Sequence, residues 1–343
     1  DEMNRNGAQV ISLAIGSPDL PPHPEVIKTL QEQAALPTTH GYQSYKGAPA
    51  LRKAMADWYH RYYQVTLNPE TQILPLIGSK EGVGYPAYTR AVTISGATPI
   101  PYELKSENKW FPDFDKLEQM DLSKVKLMWI NYPHMPTGAL ANREFFDQII
   151  AFGIKHNILI CHDNPYSFIL NDKPQSIMEI PGAIDVAIEL NSLSKSSNMA
   201  GWRIGMLIAN ENRISQIMKF KSNMDSGMFL PMQLAAAKAL SLDQSWYTQL
   251  NEEYRKRRLK VFEIMDLLDC AYDENQVGLF VWAKIPSHVK NSYLLCDDIL
   301  YKSYVFITPG GIFGTQGEQY VRISLCAKTE VYELAIERMK KSL

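Results

Sequence analysis

The segment from Ser192 to Arg203 contains residue types that could carry out covalent chemistry. Its sequence is Ser-Leu-Ser-Lys-Ser-Ser-Asn-Met-Ala-Gly-Trp-Arg, so hydroxyl side chains flank Lys195. A lysine amine can attack an aldehyde to form an imine, while hydroxyls and a guanidinium can bind a phosphate. The segment therefore suits an aldehyde cofactor that carries a phosphate. The alternative is a surface lysine in a serine-rich loop.

Short apolar segments precede the other polar residues that could do chemistry. Asp163 follows one such segment, Gly78 follows another, and a third leads to Ser192. Short apolar strands that alternate with helices predict an α/β fold with a mainly parallel sheet, sandwiched by helices on both faces. Ligands bind beyond the C-terminal ends of such strands, so we expect these residues to meet there. Strands are predicted at residues 73–77, 126–130, 158–161, 186–190 and 204–208, and a helix at 145–156.

The pattern changes from about residue 240 onward. A charged helix is followed by separate short strands and a last helix, which predicts a smaller α+β domain. We expect a large domain at residues 35–240 and a small domain formed by residues 1–34 together with 241–343. The predicted elements of the second part are a helix at 251–269, strands at 278–282, 304–308 and 320–325, and a helix at 330–341.

The composition excludes several classes of protein. The 343 residues carry a net charge of -2, which gives no basic footprint for nucleic acid. No apolar run reaches the roughly 18 residues of a membrane span. The 4 cysteines are scattered and form no Cys-x-x-Cys pair, so neither a metal site nor a disulfide scaffold is expected, and a reducing cytoplasm is the default location.

The Lys195 segment and eight further motifs, taken in their order along the chain, resemble those of the class I/II aminotransferases. These are fold-type I enzymes that use pyridoxal 5′-phosphate (PLP). The Lys195 segment resembles the family's Schiff-base signature, and the resemblance covers nearly the whole chain. Each motif is weak alone, but the ordered set is specific. The other motifs are Leu13–Asp19, Tyr42–Arg52, Gly78–Gly82, Tyr85–Tyr88, Pro136–Gly138, Asp163–Tyr166, Thr308–Gly310 and Arg322.

The resemblance implies three catalytic residues. Lys195 would hold PLP as a Schiff base and then act as general acid and base. Asp163 would pair with the pyridine nitrogen and keep it protonated, and Tyr166 would donate to the phenolic oxygen. The alternatives are a helix N-cap for Asp163 and a packed aromatic for Tyr166.

The resemblance also implies a phosphate cup and a ring-stacking tyrosine. Backbone N–H groups where a strand meets a helix start form an anion site. Tyr85 would stack on the ring, which leaves Tyr88 as a core residue. Tyr42 would reach the phosphate from a partner subunit, so a homodimer with shared active sites is expected. The residues of the cup are Gly78, Ser79, Lys80, Ser192, Ser194 and Arg203.

The substrate side of the site would be formed by Arg322 and Gly16. Arg322 matches the family's arginine for the substrate α-carboxylate, where a fork of two hydrogen bonds suits arginine and not lysine. The backbone of Gly16 would contact the same carboxylate. The alternative for Arg322 is a structural ion pair within a strand.

Two departures from the family pattern bear on substrate and cofactor. Met135 stands where the family has an asparagine, and a thioether is only a weak acceptor. His134 beside it is expected to face solvent, and the alternative is that it swings in to replace the asparagine. Residues 221–229 hold no second arginine for a side-chain carboxylate, which disfavours simple dicarboxylates. The run 225–229 is similar to the branch of LL-diaminopimelate and neutral amino-acid aminotransferases.

The expected activity is transfer of an amino group from an L-amino acid to a 2-oxo acid. A PLP-dependent carbon–sulfur β-lyase on the same scaffold remains an alternative, because the core residues serve both reactions. A third possibility is a PLP-sensing regulatory domain. It is disfavoured because the family pattern begins within the first twenty residues and the chain is not basic.

The stretch after Gly78 is too short for the predicted fold. A new strand-like run begins almost at once after Val83 and Gly84, although a connection between parallel strands needs about 12 residues or more. We infer that roughly 20 residues, a helix and a strand, are absent between Val83 and Gly84.

Overall fold

The computed structural model of the chain describes residues 2–5, 7–78 and 87–342. The helices are α1 (Glu2–Arg5), α2 (Pro24–Ala34), α3 (Pro49–Tyr63), α4 (Ala87–Ile94), α5 (Phe114–Glu118), α6 (Arg143–His156), α7 (Ala183–Val186), α8 (Leu193–Ser196), α9 (Glu211–Lys221), α10 (Leu230–Ser241), α11 (Gln244–Leu267), α12 (Ser292–Ser303) and α13 (Thr329–Ser342). The strands are β1 (Ile11–Ser12), β2 (Ile73–Leu76), β3 (Leu127–Asn131), β4 (Leu159–Asp163), β5 (Ala187–Ser192), β6 (Gly205–Ile208), β7 (Ala271–Tyr272), β8 (Phe280–Lys284), β9 (Val305–Phe306), β10 (Thr308–Pro309) and β11 (Tyr320–Ser324).

The larger sheet has the strand order β2-β6-β5-β4-β3. Strands β3, β4 and β5 are parallel, while β6 is antiparallel to both β5 and β2. The predicted α/β fold with a mainly parallel sheet is confirmed, with β6 as the reversed strand. Because β6 turns back beside β5, the connection between them stays at the C-terminal edge of the sheet. That connection carries Lys195.

Helix α6 shows how the sequence defines the elements that cover this sheet. It begins after Asn142, whose side chain accepts a hydrogen bond from Phe145 N, and it ends at Asn157, which adopts the left-handed conformation with φ of 53°. Both residue types are favoured at these ends. The apolar side chains between them are buried against the sheet, which confirms the helix predicted at 145–156.

The smaller sheet has the order β10-β11-β8-β7 and is antiparallel. Strand β1 pairs separately with β9, placing Ile11 opposite Val305, so the N-terminal stretch packs with the C-terminal part as expected. The single strand predicted at 304–308 is wrong in detail, because β9 and β10 pair with different strands. The helix predicted at 251–269 begins earlier, after the N-cap Asp243.

Two large clusters of buried apolar residues form much of the core. The first, beneath the larger sheet, includes Val26 of α2 and Leu51 of α3. The second, around the smaller sheet, includes Ile11, Leu13 and the buried face of α13. The domain division at residues 35–240 stays a prediction, as does the gap between Val83 and Gly84, which lies outside the described residues.

Across residues 2–5, 7–78 and 87–342, no helix has both the length and the apolar character needed to span a membrane.

Candidate active site

Lys195 lies in α8, at the C-terminal edge of the larger sheet. The Ser192 side chain caps this short helix by accepting a hydrogen bond from Ser194 N at 3.1 Å. The Lys195 ammonium donates to the carbonyl oxygen of Gly16 at 2.7 Å and lies 5.9 Å from the centre of the Tyr166 ring. The half-buried amine therefore faces the middle of the molecule, which argues against a surface lysine in a loose loop.

Asp163 ends strand β4 and is 5% exposed. One carboxylate oxygen, Oδ2, accepts a hydrogen bond from the Tyr88 hydroxyl at 2.8 Å. The other, Oδ1, is buried and has no hydrogen-bond partner among the described residues. Burial raises the pKa of Asp163 to about 6, and the Tyr88 hydrogen bond and the charges of His162 and Lys195 oppose that rise. These bonds give no support to the helix N-cap alternative.

Tyr88 is a functional candidate that sequence reasoning missed. It was predicted to be a core residue, yet it is half-buried, bonds Asp163 and stacks on Trp129 with ring centres 4.9 Å apart. The spacing of the two tyrosines in Tyr85-Pro-Ala-Tyr88 could not show which one faces the site. Tyr85, predicted to stack on the cofactor, lies outside the described residues.

The predicted phosphate cup is partly assembled by the ends of three neighbouring strands. Gly205 of β6 is paired with Ser192 on one side and with Leu76 on the other. Gly78 has φ of +78°, and a Cβ placed on it would overlap the Arg203 guanidinium. Only glycine fits this conformation and close approach. Gly78, Ser192, Ser194 and Arg203 are thus brought to one edge, while Ser79 and Lys80 lie outside the described residues.

Tyr166 lies between the Lys195 amine and the smaller sheet. Its ring packs edge-on against Phe280 of β8. Burial raises the pKa of Tyr166 far above its ordinary value, with the nearby Asp163 carboxylate adding to the effect. The hydroxyl is therefore held in its protonated form, as a hydrogen-bond donor must be.

Arg322 of β11 has its guanidinium between two aromatic rings. The central carbon lies 4.1 Å from the centre of the Phe280 ring and 4.7 Å from that of Phe313. One nitrogen donates to the Ala14 carbonyl at 3.0 Å. Gly16 packs flat on Phe280, because a Cβ there would lie 2.5 Å from the ring. The residues predicted to bind the substrate carboxylate are therefore brought together.

Met135 and His134 lie where the family pattern is broken. The Met135 sulfur is 3.4 Å from a nitrogen of Arg322, and Met135 N donates to Asn131 Oδ1, whose amide in turn donates to the Asp163 carbonyl. His134 does not face solvent as predicted. Its half-buried ring contacts the Thr137 hydroxyl at 2.7 Å, and burial lowers its pKa to about 4.

This geometry agrees with comparisons to known proteins. The sequence matches the family described as aminotransferase class I and II over residues 8–84 and 81–339. The chain belongs to the class I and II aminotransferases. It is an enzyme that transfers an amino group from an L-amino acid to a 2-oxo acid.

Curated relatives of this aminotransferase share most of its length. LL-diaminopimelate aminotransferase of Dehalococcoides mccartyi strain 195 is 40% identical over 359 residues, covering 98% of this chain and 92% of the relative. The protein of the same name from Aquifex aeolicus is 36% identical over 360 residues, covering 99% and 93%. These names give no support to the carbon–sulfur lyase alternative.

Solved structures of aminotransferases share the fold. BacF of Bacillus subtilis, without substrate, has a TM-score of 0.93 and 36% identity, covering 100% of this chain and 93% of that one. The aromatic aminotransferase of Pyrococcus horikoshii has a TM-score of 0.90 and 27% identity, covering 97% and 95%. The fold-type I assignment is therefore confirmed.

Proposed function

We propose that this aminotransferase uses PLP and that its amino donor is LL-diaminopimelate. The observation that carries the cofactor assignment is the buried Oδ1 of Asp163, which has no hydrogen-bond partner among the described residues and lies near the Lys195 amine. A buried carboxylate oxygen without a donor is costly, and a protonated pyridine nitrogen is a donor of the right charge. When bound, PLP supplies an electron sink for the carbanion that forms at the substrate's α-carbon.

The neighbouring residues fit the rest of the same group. The cradle of Gly78 and Arg203 brings a guanidinium against glycine backbone at the end of a strand, a combination that suits a phosphate. The Ser192 and Ser194 hydroxyls lie on the adjacent turn. The Lys195 amine fits the aldehyde, and the Tyr166 hydroxyl, held protonated, can donate to the phenolic oxygen.

The roles of the chain's own groups follow from their chemistry. Lys195 would hold the cofactor through Nζ and act as the general base that takes the proton from the substrate's α-carbon and as the general acid that returns it. Asp163 would stay ionised and pair with the protonated pyridine nitrogen. Arg322 would bind the substrate's α-carboxylate with two parallel hydrogen bonds. This contact would fix the direction of the Cα–H bond that breaks.

The homodimer is part of this proposal, and Tyr42 supports it. Its side chain is 94% exposed, although an aromatic ring normally packs in the chain that carries it. Other large apolar side chains nearby in sequence, Leu36 and Tyr45, are each 44% exposed. Exposed apolar surface of this kind is typical of an interface between subunits. In a homodimer, Tyr42 of one subunit would reach the phosphate of the cofactor bound by the other subunit.

We also propose a cytoplasmic location. Cys161, Cys270, Cys296 and Cys326 are all buried free thiols. Unpaired cysteines are typical of proteins kept in a reducing compartment.

The choice of donor rests on the relatives. Proteins named LL-diaminopimelate aminotransferase match this chain at 36% to 40% identity over nearly its full length. The absence of a second arginine in residues 221–229 also fits a donor whose far end carries an ammonium beside its carboxylate, since a single arginine would not match both charges.

The decisive experiment is absorbance spectroscopy of the purified protein with PLP. LL-diaminopimelate should convert the visible band of lysine-bound PLP to the near-ultraviolet band of pyridoxamine phosphate, and a 2-oxo acid should restore it. L-Aspartate, L-phenylalanine and meso-diaminopimelate serve as matched donors. Faster conversion by any of these would overturn the proposed donor, and release of ammonia with a persistent visible band would favour a lyase.

The control for the cofactor assignment is Lys195→Ala. The variant should lose the visible band of lysine-bound PLP and the conversion by every donor. A variant that keeps the band would show that another lysine holds the cofactor.

A further inference from the structure

A buried polar cluster lies behind Asp163, on the opposite face of strand β4. His162 and Glu189 are both fully buried, and His162 Nδ1 lies 2.9 Å from a carboxylate oxygen of Glu189 on the neighbouring strand β5. The mechanism described above does not use this pair. Burial of two ionisable groups is costly unless each is paired and hydrogen-bonded, so the arrangement requires an explanation.

The hydrogen bonds of His162 limit its protonation. Its second ring nitrogen, Nε2, lies 2.8 Å from the carbonyl oxygen of Tyr132, which can only accept. Nε2 therefore carries a proton. Whether Nδ1 carries one as well depends on Glu189, since a neutral carboxyl would donate to the ring and a carboxylate would accept from it.

Glu189 is surrounded by donors. The Tyr59 hydroxyl donates to it at 2.6 Å, the Ser176 hydroxyl at 2.9 Å and Ile177 N at 3.0 Å. Burial, followed by the charge of Glu189, raises the pKa of Tyr59 well above its ordinary value, so the phenol keeps its proton. A carboxyl with three such donors is stabilised as a carboxylate, and it then accepts from His162 Nδ1.

We propose that His162 and Glu189 form a buried ion pair, and that the positive charge on His162 holds the adjacent Asp163 in its ionised form for the bound cofactor. His162 would then be a positioning residue that acts through Asp163. This inference rests on the proposed pairing of Asp163 with the cofactor's pyridine nitrogen.

The surroundings of both groups favour this direction of effect. His162 faces the Glu189 carboxylate, the Tyr132 carbonyl and the uncharged edge of Phe146 on α6, with ring centres 5.2 Å apart. Asp163 faces the Tyr88 hydroxyl, the Lys195 amine and Tyr166. Burial raises the pKa of Asp163 to about 6, and the nearby charges that oppose this are those of His162 and Lys195. The charge of the Lys195 amine would change when it binds the cofactor, whereas His162 would keep its charge throughout the reaction.

The test measures cofactor binding to the full-length apoprotein. Its ligands are PLP and an analogue in which a carbon replaces the pyridine nitrogen. The analogue cannot form the charged hydrogen bond to Asp163, but it contacts the same side chains as PLP does. The proteins are the wild type, His162→Gln, Glu189→Gln and the double variant. The wild type should bind PLP more tightly than the analogue.

Each single variant should weaken PLP binding by about tenfold, which corresponds to about 1.4 kcal/mol, and leave analogue binding unchanged. The double variant should lose no more than either single variant, since both remove one ion pair. Equal losses for PLP and the analogue would overturn the inference in favour of a packing role. No loss for either would also overturn it.

A wild type that binds PLP and the analogue equally would overturn the Asp163 assignment itself, and this inference with it. A measurement on the wild type alone covers the case in which the variants do not fold. Histidine ring nitrogens can be observed by ¹⁵N nuclear magnetic resonance, and the fully buried His162 should give the slowest exchange with solvent. We expect both ring nitrogens of His162 to be protonated at neutral pH. One unprotonated nitrogen would contradict the ion pair.

Discussion

Two charged groups of the site, Asp163 and Arg322, are held in opposite ways. Asp163 is fixed by one hydrogen bond from Tyr88 and keeps a second buried oxygen without a partner among the described residues. Arg322 has its guanidinium covered by two rings and bonded to the Ala14 carbonyl. The carboxylate oxygen is therefore ready to receive a ligand, whereas the Arg322 nitrogen that bonds the Ala14 carbonyl would have to exchange that bond to receive one.

The difference matches the proposed roles of the two groups, because Asp163 serves the cofactor and Arg322 serves the substrate. A cofactor that stays on the enzyme is served by a preorganised partner, because no rearrangement then has to be repeated in each turnover. A substrate that comes and goes can displace the Ala14 carbonyl, since a carboxylate is a stronger acceptor for a guanidinium than a peptide carbonyl is. The N-terminal loop around Ala14 would then be free to move with each substrate.

The largest expected effect is that of Asp163→Asn. The amide keeps the size of the carboxylate and can still accept from Tyr88, but it cannot hold the proton of the pyridine nitrogen. We expect kcat to fall by about a thousandfold, as for loss of a preorganised electrostatic partner. Steady-state kinetics with saturating donor would measure this.

The matched control is Asp163→Glu, which keeps the charge and shifts it by one methylene. It should recover part of the lost kcat. If the amide variant retained kcat within a few-fold of the wild type, Asp163 would not be a preorganised partner for the cofactor.

Arg322→Lys tests the half of the site that must rearrange. Lysine keeps the charge but cannot form two parallel hydrogen bonds or stack flat between Phe280 and Phe313. We expect KM for the amino donor to rise about a hundredfold, with a smaller change in kcat, because a buried charge pair is weakened. A simple amine without a carboxylate provides the control, since its slow conversion should not change. A fall in kcat with KM unchanged would contradict the assigned role.

These residues also show what the sequence could predict. The strands beneath Asp163 and Ser192 are short apolar runs, and the motifs around Lys195 and Arg322 follow the order typical of the family. Sheet topology then brings such motifs together, because the C-terminal ends of neighbouring strands lie at one edge. The fold and the family were therefore predictable.

The contacts that depend on side-chain direction were not predictable. The sequence did not reveal that Tyr88 bonds Asp163, because the direction of a helical side chain depends on where its helix docks. It did not reveal that Asn131 links Met135 to Asp163, since that link needs a turn to fold back on its own strand. His134 was expected in solvent because polar loop residues usually lie there, yet Thr137 holds it.

Tyr88→Phe should have a moderate effect that depends on pH. The Tyr88 hydrogen bond lowers the pKa of Asp163 against the rise caused by burial, so its loss raises that pKa further. Since activity needs the ionised form and is lost as pH falls through the pKa, the acid limb of the kcat profile should move to higher pH. At a fixed mildly acidic pH we expect about a tenfold loss, the worth of one hydrogen bond to a charge. An acid limb that stays in place would show that the bond does not act on the ionisation of Asp163.

The smallest expected effect is that of Phe313→Leu, which removes one of the two rings on Arg322. A ring facing a guanidinium contributes about 0.5–1 kcal/mol at exposed sites and more when desolvated. Since Phe313 is half-buried and Phe280 still covers the guanidinium, KM for the donor should rise at least about threefold with kcat unchanged. Ile312→Ala, at a neighbouring side chain that is 55% exposed, is the matched control and should leave KM unchanged. A fall in KM would mean that the rings hold Arg322 on the Ala14 carbonyl and that releasing it favours the substrate. Stacking would then oppose the exchange of bonds by which Arg322 binds the substrate.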